Sequence, residues 1–449
     1  MHDLRRQALE SGKTVSRKAR SRQSSPATSR THSPAASPAA RSRAVSQAGS
    51  DDDGELSDET SFSVGSIDEI MNGDGTELTT DAWRSELADR IEEILARKGS
   101  TVQGREKCYK TYIHILTAQY AEEEIRGKEA ELVAAFLKSI KEEKSENETI
   151  FALKALAMTV ITSPSDLIYE GASTPLKRTI QHSQSHASKT AAIHALGTCT
   201  FYGGASDDEI LENLDYLLEI ITSDGHTIDA PDEPEPVVAA LEEWGFLCTL
   251  IDDISSQSED AIEAFAEQIN SSYPSVQITA GENIALLYEK SYKPISPDED
   301  NLSDYPPTDL ITDPDYPSNK PQLIRLYPAY RRTDQLVHAL QSMATISTRH
   351  LSKTDRKALR TNFSDILNSI ECPTHGPRYQ NAISEETGKR YGSRMVVRIH
   401  KTGVMRIDRW WKLHRLQGLR RVLQGGFVRH YESNEVVFET LPIMITADK

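Results

Sequence analysis

From Trp83 onward, apolar side chains recur at helical spacing. Trp83, Leu87, Ile91 and Leu95 stand four apart behind Thr80 and Asp81, which can cap the first turn. Tyr109, Ile113 and Leu116 mark a second helix, Leu132, Ala135, Phe136 and Ile140 a third, and Ile150, Leu153, Leu156 and Val160 a fourth. Further helices read at 187–202, ended by Gly203-Gly204, then at 207–222, 236–254, 258–270 and 275–290. Pro164 and Pro175 fit short turns or first-turn positions, where a missing N–H costs nothing. About nine helices with short connections and hardly any strand text predict an all-α architecture. The expected fold is an armadillo- or HEAT-like helical solenoid over residues 78–292. No exact repeat period is visible, so a non-repetitive helical bundle is the alternative. His194, Cys199, Trp244, Phe246 and Phe265 fall inside these helices and read as core.

The pattern changes on both sides of this body. Residues 1–77 are expected to be disordered: the first fifty are Ser, Ala, Pro and Arg with few large apolar residues, and an acidic block follows. Ser-Arg pairs and Ser-Pro steps at Ser25, Ser33 and Ser37 read as a nuclear-localisation or RNA-contacting segment, or as a solvated tail. The stretch Phe62–Met71 mixes acids with apolar residues and reads as untargeted disorder or, alternatively, as a segment that docks on a partner. Seven prolines from Pro294 to Pro321 make 293–321 a linker without regular structure. Helices resume around Thr333–His350 and Thr354–Ser369, within a closing segment 322–372.

Residues 373–449 read as a small basic α+β unit. Met395, Val397 and Ile399 alternate with polar neighbours, Lys401-Thr402-Gly403 is a turn, and Val404–Ile407 returns as a hairpin. Asp408 can cap a helix to about Leu423, lined by Leu413, Leu416, Leu419 and Leu423 and stopped by Gly425-Gly426.

Charge sharpens this division. The 449 residues carry a net −17, but the sum hides unequal parts. Residues 1–50 are net +8 and 51–80 net −10, while 81–320 are net −26 and 321–449 net +11. Between Lys189 and Lys290 there is no Lys or Arg, against 21 Asp/Glu. That segment reads as an acidic face for protein partners or as a solvated exterior, with Asp207, Asp208, Glu209, Glu242, Glu243, Asp252, Asp253 and Glu263 as candidate contacts. From Arg378 to Arg429 there are 13 bases and three acids, interleaved with Tyr391, Trp410 and Trp411.

Basic residues among aromatics suit a ribosome or structured RNA, because cations neutralise phosphates and rings stack on bases. The candidates are Arg409, Trp410, Trp411, Lys412, Arg415, Arg420 and Arg421 on the helix, with Arg394, Arg398 and Lys401 on the hairpin. The same helix could instead dock on an acidic protein groove, including the body of this chain, lie on an anionic membrane or simply face solvent.

Other classes find no support. No run of about 18 apolar residues exists to span a membrane, and the basic N-terminus has no apolar core of a secretory signal. The four cysteines lie far apart in sequence, as in a reduced intracellular protein, cytoplasmic or nuclear. There is no G-x-x-x-x-G-K-[ST], H-E-x-x-H or G-x-S-x-G. Cys372-Pro-Thr-His375 lacks a second pair to complete a metal site. No catalytic residue, cofactor, metal or small-molecule substrate is expected.

Three stretches carry a resemblance. Residues 275–290 (SVQITAGENIALLYEK), the basic helix 352–371 (SKTDRKALRTNFSDILNSIE), and Val404–Trp410 with Val422–Phe438 resemble the interferon-related developmental regulator family. The likeness covers roughly residues 80–442. It implies an armadillo-like fold, no enzymatic activity and a regulatory role. Members are linked to transcriptional co-regulation in the nucleus, and to ribosome binding and translational repression with the C-terminal region contacting the ribosome. Where the family pattern implies a Gly-small-Gly-Met turn, this chain has Gln424-Gly425-Gly426-Phe427.

Overall fold

A computed structural model describes residues 82–97, 99–294, 323–346, 351–383, 390–399, 403–442 and 446–447. The expected tail at 1–77, its Phe62–Met71 segment, the Thr80/Asp81 cap and the Lys401-Thr402 turn lie outside these residues. So does 295–321 of the linker.

The periodic text forms paired helices: α1 (Ala82–Ala96), α2 (Val102–Ala118), the single turn α3 (Glu122–Ile125), α4 (Glu129–Glu142), α5 (Glu146–Thr162), α6 (Ile168–His182), α7 (His186–Tyr202), α8 (Asp207–Thr222), α9 (Pro234–Cys248), α10 (Ser255–Gln268) and α11 (Pro274–Lys290). Local chemistry sets the starts. Thr101, Ser145, Ser185 and Ser206 accept a backbone N–H of the first turn, Ser206 within a reciprocal capping box with Glu209. Pro234 and Pro274 open α9 and α11.

The helices stack in two rows. In the inner row each of α2, α5, α7, α9 and α11 packs on the next, while α1, α4, α6, α8 and α10 lie outside. This is the expected solenoid. Burial reports the layering: α4 and α8 bury one stripe, whereas α5, α9 and α11 are buried around most of their circumference.

Helix α6 departs from the sequence reading. Pro175 stands inside it and is buried. The ring removes the hydrogen bond to the Gly171 carbonyl, but Ala172, Leu176 and Ile180 are fully buried against neighbouring helices, and that burial outweighs the loss. Helix α9 ends at Cys248, six residues before the expected 254.

The linker also starts later than expected. Strand β1 (Tyr292–Pro294) pairs antiparallel with β2 (Leu323–Arg325), Tyr292 opposite Arg325 and Pro294 opposite Leu323. Lys293 and Pro294 are therefore strand, and the chain between leaves and returns at one place. Two helices then close the stack: α12 (Thr333–Ala344) packs on α13 (Lys353–Glu371), and α13 continues the inner row on α11.

The C-terminal unit holds β3 (Tyr379–Ile383) paired with β4 (Arg390–Ser393), a pair the sequence reading missed. Strands β5 (Val396–Arg398) and β6 (Gly403–Arg406) form the expected hairpin, with Val397 opposite Met405. The helix follows as α14 (Trp410–Leu423), then a 3-10 turn at Gln424–Gly426, α15 (Phe427–Ser433) and α16 (Glu435–Thr440). Strand β7 (Thr446–Ala447) adds to β6.

The candidate basic interface and its acidic seat

Helix α14 lies on the inner row, against α9, α11 and α5. Its leucines at 413, 416, 419 and 423 are 0–5% exposed, as the stripe predicted. Each contributes about 1.5–3 kcal/mol by burial, so the stripe supplies most of the adhesion and the polar contacts fix its register.

Those polar contacts begin at the first turn. Arg409 is the N-cap residue and supplies no side-chain cap. Asp408, expected to cap, instead pairs with Lys412 at 2.5 Å. The cap comes from α11: the Trp410 and Trp411 N–H groups donate to Glu289 Oε2 and Oε1 at 2.9 and 3.1 Å. Burial raises the Glu289 pKa, against the nearby Arg409 charge and these two N–H bonds. The Trp410 indole N–H donates to Ser369 Oγ at 2.7 Å.

Further along, His414 packs where Gly245 leaves space, since a Cβ there would fall 2.4 Å from its Nδ1. Burial depresses the His414 pKa to about 4, so the ring is neutral at physiological pH. Gln417 Nε2 donates to Glu282 Oε2 at 3.2 Å. Burial outweighs that bond and pushes the Glu282 pKa up to about 7. Arg415 donates from Nε to Thr249 Oγ1 (2.9 Å), and from Nη2 and Nη1 to the Thr249 and Thr440 carbonyls (3.0 Å each). Its guanidinium lies over Phe201 and Trp411, 5.5 and 5.2 Å from the ring centroids.

At the last turn, Arg421 Nε and Nη2 donate to Glu243 Oε1 at 3.1 and 2.8 Å, and Nη1 is 3.6 Å from Glu242 Oε2. His194 Nδ1 meets Glu243 Oε1 at 2.8 Å. Burial opposes the Arg421 charge, but the two carboxylates outweigh it and raise its pKa. Gly426 closes the docking: a Cβ there would sit 1.8 Å from the Thr117 carbonyl oxygen.

The predicted basic residues thus divide. Trp410, Arg415 and Arg421 are engaged with the chain's own body; Lys412 pairs with Asp408; Arg420 lies over Phe427, centroid 5.8 Å away. Arg409 is half-buried and donates to the Pro373 carbonyl at 3.3 Å, and Trp411 is half-buried beneath Lys412 and Arg415. Arg394 and Arg398 are exposed on the hairpin. Lys401 lies outside the described residues.

Alternation sorts the hairpin. Val397, Ile399, Met405 and Ile407 are buried, leaving Arg394, Val396, Arg398 and Arg406 exposed. Arg394 lies over the exposed Tyr391 ring at 5.5 Å. Arg406 and Tyr391 were not among the sequence candidates. The period-2 signal could have found Arg406, since it pairs across from Val396.

The acidic candidates divide too. Asp207, Asp208, Asp252 and Asp253 are exposed; Glu209 serves the Ser206 capping box, and Asp253 Oδ1 accepts the Ser255 N–H at 2.9 Å. Glu263 meets Arg332 at 3.4 Å. Glu242 and Glu243 hold Arg421. Sequence reasoning missed Glu282 and Glu289, because apolar neighbours on α11 mask them.

Among the described residues, no group of three or more His, Cys, Asp or Glu is placed to hold a metal ion, and no helix is long and apolar enough to cross a membrane.

Comparison with known proteins adds a family. The profile described as interferon-related developmental regulator matches residues 49–371, ending before β3. An uncharacterized protein of Schizosaccharomyces pombe is 25% identical over 393 residues, covering 85% of this chain and 81% of that protein. Interferon-related developmental regulator 1 of Homo sapiens is 22% identical over 395 residues, 84% of this chain and 76% of that one. For its namesake in Sus scrofa, 24% identity over 277 residues covers 58% of this chain and 51% of that protein, so the alignment spans about half of that relative.

Proposed function

The chain belongs to the interferon-related developmental regulator family, and from that premise we propose a non-enzymatic regulator of gene expression that binds ribosomes or structured RNA and represses translation by occupying their surface. The observation that carries this reading is the outward hairpin face, where Arg394, Arg398 and Arg406 stand exposed beside Tyr391. Arginines at alternate strand positions can track a phosphate backbone, and an exposed ring can stack on an unpaired base. With Arg415 and Arg421 held by the solenoid, first contact falls to the hairpin. The protein would then act in the cytoplasm.

Co-sedimentation with ribosomes at rising salt tests this. Arg394→Glu/Arg398→Glu/Arg406→Glu is expected to remove binding while the circular dichroism spectrum stays unchanged. Unaltered co-sedimentation would refute the assignment.

A second reading, a nuclear transcriptional co-regulator working through protein contacts, rests on the exposed carboxylates Asp207, Asp208 and Asp252. Reversing these three charges would then abolish recovery of protein partners from nuclease-treated extract. An unchanged partner set would exclude it.

A further inference from the structure

The inner row is only partly covered by α14. Beside the last turn of that helix, a trough of about 610 Å³ continues along α5, α7 and α9. Its floor is shaped by small side chains: Ala187, Ala191 and Ala195 stand four apart on α7. The α9 wall presents Glu235, Val238 and Glu242 at i, i+3 and i+7, one face of that helix. Alanine along one wall lets another backbone approach closely; on the facing wall Glu242 already meets Arg421 at 3.6 Å, while Glu235 stands exposed and, across from Lys154 of α5, offers a cationic ligand its carboxylate.

Two further observations bear on the occupant. The trough is continuous with an interface already filled by an amphipathic basic helix, because Arg421, Val422 and Gln424 form one of its walls. In addition, Glu235 is exposed on the trough's α9 wall, two helical turns before Glu242.

We propose that this trough is a docking groove for a partner protein's short amphipathic basic helix, seated beside α14. Its apolar side lies on the alanines of α7 and Val238, and a Lys or Arg reaches Glu235. Docking of this kind reads helical anchors at i, i+3 or i+4 and i+7. It involves neither the hairpin face nor RNA.

The probe is a fluorescein-labelled peptide of the α14 sequence, Trp410–Leu423, added to the full-length protein and followed by anisotropy. Saturable binding is expected, weakened about tenfold by Glu235→Lys and by Ala187→Trp, a loss of about 1.4 kcal/mol each. Both positions are exposed, so the variants should melt like the parent. A peptide with Leu413, Leu416, Leu419 and Leu423 all changed to Ser should not bind. No saturable binding, or binding indifferent to both substitutions, overturns the proposal. Binding governed instead by Glu289→Gln would mean exchange with the chain's own α14, and loss of binding because the protein self-associates in sedimentation would assign the trough to a second copy. Either result also overturns it.

Discussion

Replacing Arg421 with Met isolates the energetics of the seat. The guanidinium contacts Glu243, itself 3% exposed at its side chain, and comes within 3.6 Å of Glu242. Met preserves much of the aliphatic stem but leaves both carboxylates without their cation. Removing one partner of a buried pair costs about 3–5 kcal/mol. His194 remains 2.8 Å from Glu243 and compensates in part, so the low end, about 3 kcal/mol, is expected. At about 2 °C per kcal/mol, thermal unfolding should move down by about 6 °C. Adding Glu243→Gln removes the stranded charge, and the double variant should recover at least about 2 kcal/mol of coupling energy. Urea unfolding followed by circular dichroism and tryptophan fluorescence measures all four corners of the cycle. If Arg421→Met costs less than about 0.5 kcal/mol, within the range of ordinary surface substitutions, or if the two changes simply add, the seat is not held by this pair.

Three other outcomes follow from the same interface. Glu282 titrates near 7 when folded against an ordinary 4.5, so it binds protons on folding and the stability associated with its neutral form is lost as pH rises from about 4.5 to 7. His414, depressed from 6.5 to about 4, works in the opposite sense between those values. Glu282→Gln should therefore raise the urea midpoint at pH 7.5 and not at pH 4.5; an equal effect at both would contradict the assignment. Glu289→Ala should strip the cap from the buried Trp410 N–H and the partly buried Trp411 N–H, at about 1–3 kcal/mol for the buried one and less for the other, seen as faster proteolysis within residues 410–442. Gly426→Ala should cost about 1–3 kcal/mol by overpacking against Thr117, whereas Gly425→Ala, with nothing within 4 Å of its added methyl, should melt close to the parent.

Much of the fold was legible because its signal is local. Helical spacing located α7, α8 and α11 nearly to the residue, and alternation at Met395–Ile399 gave the hairpin. Helix α6 escaped because Pro175 is a local veto that only packing overrides. Strands β3 and β4 escaped because their text, polar and glycine-bearing, has no period to read.

The sequence by itself determined that this chain builds a helical stack with an acidic middle, and a basic helix carrying four leucines on one side. It could not say where that helix points. An arginine beside a leucine stripe fits a phosphate or a carboxylate equally well, since both are anions and charge has no address. Tertiary structure decided it by bringing Glu289 to the first turn across 121 residues and Glu243 to the last across 178. The helix turned inward because the leucines leave water only against the inner row. The carboxylates waiting there make burial of its cations affordable, and the arginines of the hairpin are left to meet what lies outside.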